Sequence, residues 1–359
     1  MINESLLKNE ELAVYRLRSL YSKYGYIQYK MSKFEEYDLY VRNKDFLISD
    51  RVITFTDTNG KLLALKPDVT LSIINHLGNS EIQKLYYNEN VYRVSGESHR
   101  FKEIMQTGLE CVGNIGLYEI AEVTSLAVKS LMMIDENYQL DISHAGFVEA
   151  VIKEYSIPED ILSTVREFIS LKNQGGITKL LKDGLLSETQ AQALISLVSD
   201  YSDIADFKLN VSSEKAINTF NEFKSVLNTL KALGLNKKVR INFSLANNMR
   251  YYSGIVFKGY IEGIPTGVLS GGQYDSLMKK LKKNVSAIGF AVYMDSFERL
   301  NIKNQEYDID ILFIPETDEP EKIMKAVEKL SQNDESVLVY KDVPAKIKYK
   351  RLIYGKELI

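Results

Sequence analysis

The sequence predicts an α+β chain, a strand-rich unit interrupted by a helical block and followed by a short α/β fragment. Three observations carry this. Strand-like runs fill 52–65, 84–94, 104–112 and 139–143 and return at 239–292, whereas 147–235 carries helical spacing. The helical stretch is punctuated by Ser156-Ile157-Pro158, Gly175-Gly176, Gly184 and a capping signal at Ser212-Ser213-Glu214. After Leu300 only 59 of the 359 residues remain (359 − 300), short of the ~100 of a typical independent domain. The expected organisation is therefore one domain from 1–146 and 236–302, a helical insertion at 147–235, and a truncated α/β segment at 303–359.

In order along the chain, Leu6, Leu12, Tyr15, Leu17 and Leu20 recur at roughly helical spacing before Gly25, which suits an amphipathic helix over 5–24. Val52–Thr56 and Leu62–Leu65 flank Asn59-Gly60, a pair suited to a tight hairpin turn. Pro67 and Asp68 can open a short helix through Leu77. Strands are expected at 84–94 and 104–112, a helix at 117–133 and a strand at 139–143. Beyond the helical block, strands are expected at 239–245, 255–261, 265–270 and 286–292, with helices at 274–281 and 293–300. The last segment reads as strand 309–314, helix 319–330 and strand 336–340, and Lys346, Lys348, Lys350 and Arg351 as a solvated tail. No internal repeat or low-complexity segment is evident.

Composition narrows the function. Charged residues at 26% and hydrophobic ones at 45% fit a globular chain, and a net charge of −3 argues against a broad nucleic-acid surface, so no tRNA partner is expected. The single cysteine, Cys111, sits in an apolar strand and reads as a core residue. No apolar run approaches the ~20 residues of a membrane span, and the acidic N-terminus lacks a signal-peptide layout, so a cytoplasmic protein without membrane contact is expected. His76, His99 and His144 have no metal-site spacing, and neither a phosphate-binding glycine loop nor a cofactor motif is present.

Chemistry concentrates in four stretches. Gln106 and Glu110 lie an even number of residues apart, so a strand turns both to one face. There an amide oxygen can accept from an α-ammonium and a carboxylate from an imidazole N–H, a combination that selects a histidine-like ligand. A polar stripe on a solvated sheet face would give the same spacing. Arg93 follows Tyr92 on a strand and precedes Arg100-Phe101-Lys102-Glu103 after a loop; its planar guanidinium suits an oxyanion, or a structural salt bridge. Leu65-Lys66-Pro67-Asp68-Val69-Thr70 and Asn242 to Phe257, with Tyr251, Tyr252 and Gly254, complete the set.

These stretches resemble histidyl-tRNA synthetases. The Arg93 strand-loop-strand is similar to motif 2 of class II synthetases, where the matching arginine clamps the substrate carboxylate and α-phosphate. Leu65–Thr70 resembles Leu-Arg-Pro-Glu-Gly-Thr, which implies contacts from Asp68 and Thr70 to a substrate amino group. The stretch from Asn242 to Phe257 aligns without a gap on the family's Arg-Gly-Leu-Asp-Tyr-Tyr-Thr-Gly motif, keeping Tyr251, Tyr252 and Gly254 but placing Asn247 at the arginine, Asn248 at the glycine and Arg250 at the aspartate. Gly271-Gly272-Gln273-Tyr274-Asp275 and Ala287-Ile288-Gly289-Phe290-Ala291 resemble Gly-Gly-Arg-Tyr-Asp and the motif 3 Gly-Phe-Ala. That ungapped match puts Tyr293 at a glycine and Ser296 at the arginine that grips ATP, while Ser32 stands at the motif 1 proline.

The resemblance covers about residues 5–300 and implies a class II aminoacyl-tRNA synthetase-like antiparallel sheet flanked by helices. It implies a histidine-binding site of Asp68, Thr70, Arg93, Gln106, Glu110, Tyr251 and Tyr252. With two catalytic arginines absent, where removing one preorganised donor typically costs on the order of 10²–10³ in rate, the chain resembles the ATP phosphoribosyltransferase regulatory subunits. That resemblance implies no catalytic residue or cofactor, a homodimer within a hetero-oligomer, a short-form catalytic subunit as partner, and feedback by histidine. Two other classes fit the residues: a histidine-activating enzyme that uses Arg250 or Arg299 for the missing charge, and a histidine-binding sensor or scaffold.

Overall fold

The computed structural model describes residues 7–43, 52–77, 82–94, 100–247, 252–299, 307–333 and 335–358. The chain divides into two compact units, Met1–Leu300 and Asn301–Ile359.

The first unit begins with α1 (Asn9–Lys23), β1 (Ile27–Gln28), β2 (Phe34–Glu36) and α2 (Tyr37–Val41). The hairpin β3 (Thr54–Thr56) and β4 (Leu62–Leu65) leads to α3 (Val69–His76), whose N-cap is Asp68, with Oδ1 accepting from the Leu71 amide at 2.8 Å. Two long strands, β5 (Gln83–Val94) and β6 (Phe101–Gly113), precede α4 (Leu117–Ile134) and β7 (Tyr138–His144). The helical block comprises α5 (Ala145–Glu154), α6 (Leu162–Ser170), α7 (Gln174–Lys182), α8 (Glu188–Val198), the short β8 (Asp200–Tyr201) and α9 (Glu214–Ala232). The chain then returns through β9 (Val239–Asn242), β10 (Ile255–Ile261), β11 (Leu269–Gln273), α10 (Asp275–Lys280) and β12 (Ser286–Tyr293).

Among the described residues one large sheet has the order β1-β5-β6-β12-β11-β10-β7-β9-β8. Its centre, from β5 to β7, is antiparallel, as the resemblance to class II synthetases implies. Its flanks are not: β1 pairs with β5 and β7 with β9 in parallel, so the sheet is mixed. The partners in both parallel pairs are far apart in sequence, which allows the crossover a parallel pair requires. The small strands form a second sheet, β2-β4-β3.

Residues alternate across β6, and the alternation positions the site. Leu109 and Cys111 face the main core, with Leu126, Ala127 and Leu131 of α4 and Phe257 and Phe290 of neighbouring strands. Burial pushes the Cys111 thiol up to about 12, which keeps it neutral and inert, in line with a core reading. The other row, Gln106, Gly108 and Glu110, lies on the opposite face. The helical block shares the main core: Phe147 of α5 meets Phe220 of α9 at 5.3 Å and Phe243 at 5.7 Å between ring centroids.

Several local expectations are corrected. The hairpin at Asn59-Gly60 forms, but its loop runs from Asp57 to Lys61, because the Asp57 carboxylate accepts from the Asn59 and Lys61 amides. Only Gly60 then needs a positive φ, 81°. The strand expected at 265–270 is shifted to Leu269–Gln273, set by pairing to both neighbours. The strand expected at 239–245 stops at Asn242, whose side-chain oxygen accepts from the Ser244 amide and hydroxyl and turns the chain into a 3₁₀ segment, Phe243–Asn247. The helix expected at 293–300 is a 3₁₀ turn, Met294–Arg299.

The second unit is a three-stranded parallel sheet, β13 (Ile309–Ile314), β14 (Val337–Val339) and β15 (Tyr349–Tyr354) in the order β14-β13-β15, with α11 (Pro320–Leu330) between the first two. The basic stretch expected as a solvated tail is therefore partly a strand. Its lysines hide the pattern: Lys346, Lys348 and Lys350 are exposed while Ile347 and Tyr349 between them turn partly inward, a composition suited to a sheet edge.

Candidate functional site

The centre of the large sheet forms a floor of small side chains. Across the strands, Glu110 pairs with Gly289 and Gly289 with Gly272, while Gly108 pairs with Ala291 and Ala291 with Ser270. Directly paired residues share a face, so these small groups leave room where larger ones would fill it. The floor is rimmed by large polar residues: Tyr87 on β5, Gln106 and Glu110 on β6, and Tyr293 at the end of β12. The turn into α3 brings Asp68 and Thr70 over it, and Arg93, Tyr252 and Tyr274 close the sides.

Six of the seven expected histidine-site residues, Asp68, Thr70, Arg93, Gln106, Glu110 and Tyr252, thus line one cavity. Tyr251 lies outside the described residues. Gln106 and Glu110 are 3% and 1% exposed, so the alternative of a solvated polar stripe does not hold. The cavity between these side chains is about 50 Å³, room for a few water molecules, so admission of an amino acid requires its walls to part. Two larger grooves, about 700 and 770 Å³, are open and lined by surface charges already paired, Arg42 with Asp38 and Arg166 with Glu149. The first includes one buried polar residue, Asn43, and neither brings together Asp68, Arg93, Gln106 and Glu110 as the small cavity does.

Glu110 is the chemical centre. Thr70 Oγ1 donates to its Oε1 at 2.6 Å, and the Tyr274 hydroxyl donates to Oε2. Burial pushes its carboxyl up to about 8; the two hydroxyl donors pull it down, and nearby Asp68 pushes it up. Burial thus favours the neutral form of the carboxyl near pH 7, and a cationic or N–H donor beside it would favour the ionised form. Burial also raises Asp68, opposed by the Leu71 amide and by Arg93. Arg93 is oriented by its Nε, which donates to the Pro67 carbonyl at 3.0 Å, so the same turn fixes both Asp68 and the guanidinium. Behind them Lys66, fully buried, pairs with Glu89 at 2.8 Å.

The structure adds residues that the sequence reading leaves without a role. Tyr274 and Gly289 stand in quoted motifs, yet only the fold puts both against Glu110. Ser270 and Tyr293 meet at 2.7 Å between hydroxyls. Gln273 accepts from the Ile255 amide at 2.9 Å and so ties β11 to the segment that follows Tyr252. Among the described residues no cluster of His, Cys, Asp and Glu could hold a metal ion, and no helix is long and apolar enough to cross a membrane.

The chain is similar in sequence and fold to known proteins. The chain is 26% identical over 313 residues to the ATP phosphoribosyltransferase regulatory subunit of Clostridium botulinum, spanning 83% of this chain and 74% of that one. Its fold is similar to that of an ATP phosphoribosyltransferase regulatory subunit/histidyl-tRNA synthetase from Bacillus halodurans, at TM-score 0.75 and 24% identity over 96% of this chain and 93% of the other. It is also similar to a chain of the ATP phosphoribosyl transferase (HisG:HisZ) complex from Thermotoga maritima, at TM-score 0.63 and 21% identity over 79% and 97% of the two chains. The architecture is the class II aminoacyl-tRNA synthetase-like sheet flanked by helices. The sequence profile described as histidyl-tRNA synthetase matches residues 2–297, and the chain belongs to that family.

Proposed function

We propose that this chain is the non-catalytic regulatory subunit of an ATP phosphoribosyltransferase, acting with a short-form catalytic subunit in the first step of histidine biosynthesis. The observation that carries the reading is a split within one site. The polar set suited to histidine converges on one cavity, with Glu110 held by Thr70 and Tyr274. The positions that match the synthetases' catalytic arginines hold Asn247 and Ser296, neither of which supplies a positive charge. Histidine then sits with its imidazole at Glu110 and its α-amino and carboxylate groups between Asp68, Gln106 and Arg93, with Tyr251 and Tyr252 beside it. A homodimer joined to catalytic subunits in the cytoplasm, and a helical insertion at 147–235 within the synthetase-like unit, complete the proposal.

Histidine regulates only by favouring one assembly state over another, because a ligand of equal affinity for two states shifts neither. The test is turnover by the cognate short-form catalytic subunit, with and without this chain, across a histidine titration. Stimulation that histidine reverses is expected. No effect on turnover refutes the regulatory role, and histidine-dependent ATP–pyrophosphate exchange by the pure chain would establish an activating enzyme instead.

A further inference from the structure

The cavity has two unlike ends. At one, Glu110 lies opposite Gly289; at the other, four residues along β6 and roughly 14 Å away by strand geometry, Gln106 lies opposite Tyr293. Tyr293 is the last residue of β12, whereas β5 and β6 run on together as far as Val94 and Phe101. A ligand with its head at Glu110 and its tail at Gln106 and Arg93 could extend only over that protruding hairpin, and the Tyr293 ring stands where it would leave the floor. The ring is fixed at both ends. Its backbone amide donates to the Val268 carbonyl at 2.8 Å, and its hydroxyl meets Ser270 Oγ at 2.7 Å. Ser270 belongs to the same row of small floor residues, so the bond holds the ring down across the pocket rather than out to solvent.

We propose that Tyr293, clamped by Ser270, is the residue that sets the length of ligand the site accepts: it admits a free α-amino acid and excludes one whose carboxyl group is extended by an ester or acyl-phosphate chain. The inference rests on the reading of this cavity as a histidine site. It goes beyond the absence of catalytic arginines, because it makes the pocket selective for the free amino acid by shape, whatever charges surround it. A sensor of free histidine gains by this, since activated or esterified forms of the amino acid would not compete for it.

The test compares the full chain with Tyr293→Gly and Tyr293→Phe by titration calorimetry. The probes are L-histidine and the histidyl sulfamate ester of adenosine, a non-hydrolysable acyl-adenylate analogue that keeps a negative charge. The native chain should bind histidine and bind the analogue poorly, whereas Tyr293→Phe, which keeps the ring but loses the Ser270 bond that holds it down, should bind histidine and recover part of the binding to the analogue. Tyr293→Gly should hold histidine within a few-fold of native and gain roughly 10- to 100-fold for the analogue, the range expected when a clash of overpacking size is relieved. Urea unfolding of each variant shows whether it is folded, and Tyr293→Ala replaces the glycine variant where that one is not. If the native chain binds histidine and the analogue equally well, or the glycine variant gains nothing for the analogue, the length limit is wrong while the histidine site stands. If the native chain binds no histidine, the site reading fails and the inference with it.

Discussion

Replacing Glu110 with glutamine separates a site kept for binding from ordinary core. The carboxyl is 1% exposed and is pushed from its ordinary value of 4.5 up to about 8. At about 1.4 kcal/mol for each tenfold change in proton affinity, that rise corresponds to on the order of 5 kcal/mol. The sign follows from proton binding: the folded carboxyl holds its proton more tightly than the unfolded one. Its contribution is therefore fully present below pH 4.5, is lost progressively as pH rises to about 8, and changes no further above that. Glutamine keeps the shape and cannot ionise. In urea unfolding without ligand, Glu110→Gln should gain on the native chain by a few kcal/mol between pH 5 and pH 8.5. Its histidine affinity should fall roughly 10- to 100-fold, the worth of a hydrogen bond to a charged group. Two parallel stability curves, or unchanged histidine binding, would refute the assignment of Glu110 as a carboxyl held ready for a ligand.

Thr70→Val removes one of the two donors that pull Glu110 down, so the loss of stability with pH should extend above pH 8; the measurement is the end of that slope relative to Glu110→Gln. Gly289→Ala would drive a Cβ into Glu110 Oε2 and place it 2.5 Å from the Leu109 carbonyl oxygen, so it should cost about 1–3 kcal/mol in urea unfolding and abolish histidine binding by displacing the carboxyl. Gln273→Ala leaves the buried Ile255 amide without its acceptor and should cost about 1–3 kcal/mol by the same assay.

Much of the fold is legible because local signals and tertiary pairing agree. Asp68 is both an N-cap by residue type and an N-cap in the fold, and the apolar and polar rows of β6 alternate as the spacing of Leu109, Glu110 and Cys111 requires. The misses fall where pairing overrides local composition. β15 carries Lys350 and Arg351 and follows Lys346 and Lys348, so local charge masks a strand that its place beside β13 creates. β11 is Leu-Ser-Gly-Gly-Gln, weak strand composition by intrinsic preference, yet it is held from both sides by β10 and β12. The parallel flanks arise from contacts between segments more than fifty residues apart, which no local window contains.

The same weakness of β11 explains why the site was only half legible. Side chains that reach for a ligand, such as Glu110 and Arg93, announce themselves by chemical type. Those that make room for it do so by lacking atoms: Gly108, Gly272, Gly289, Ala291 and Ser270 carry no signal in a single sequence until pairing sets them side by side. Tyr274 has the converse difficulty, since a tyrosine before a helix reads as packing until its hydroxyl is found on Glu110. Burying a carboxyl beside a floor of small residues costs stability, because apolar side chains of similar volume would stabilise the same space. A small floor beside a buried carboxyl is what a site for a ligand with an N–H donor would need, and the pH dependence of Glu110→Gln tests it.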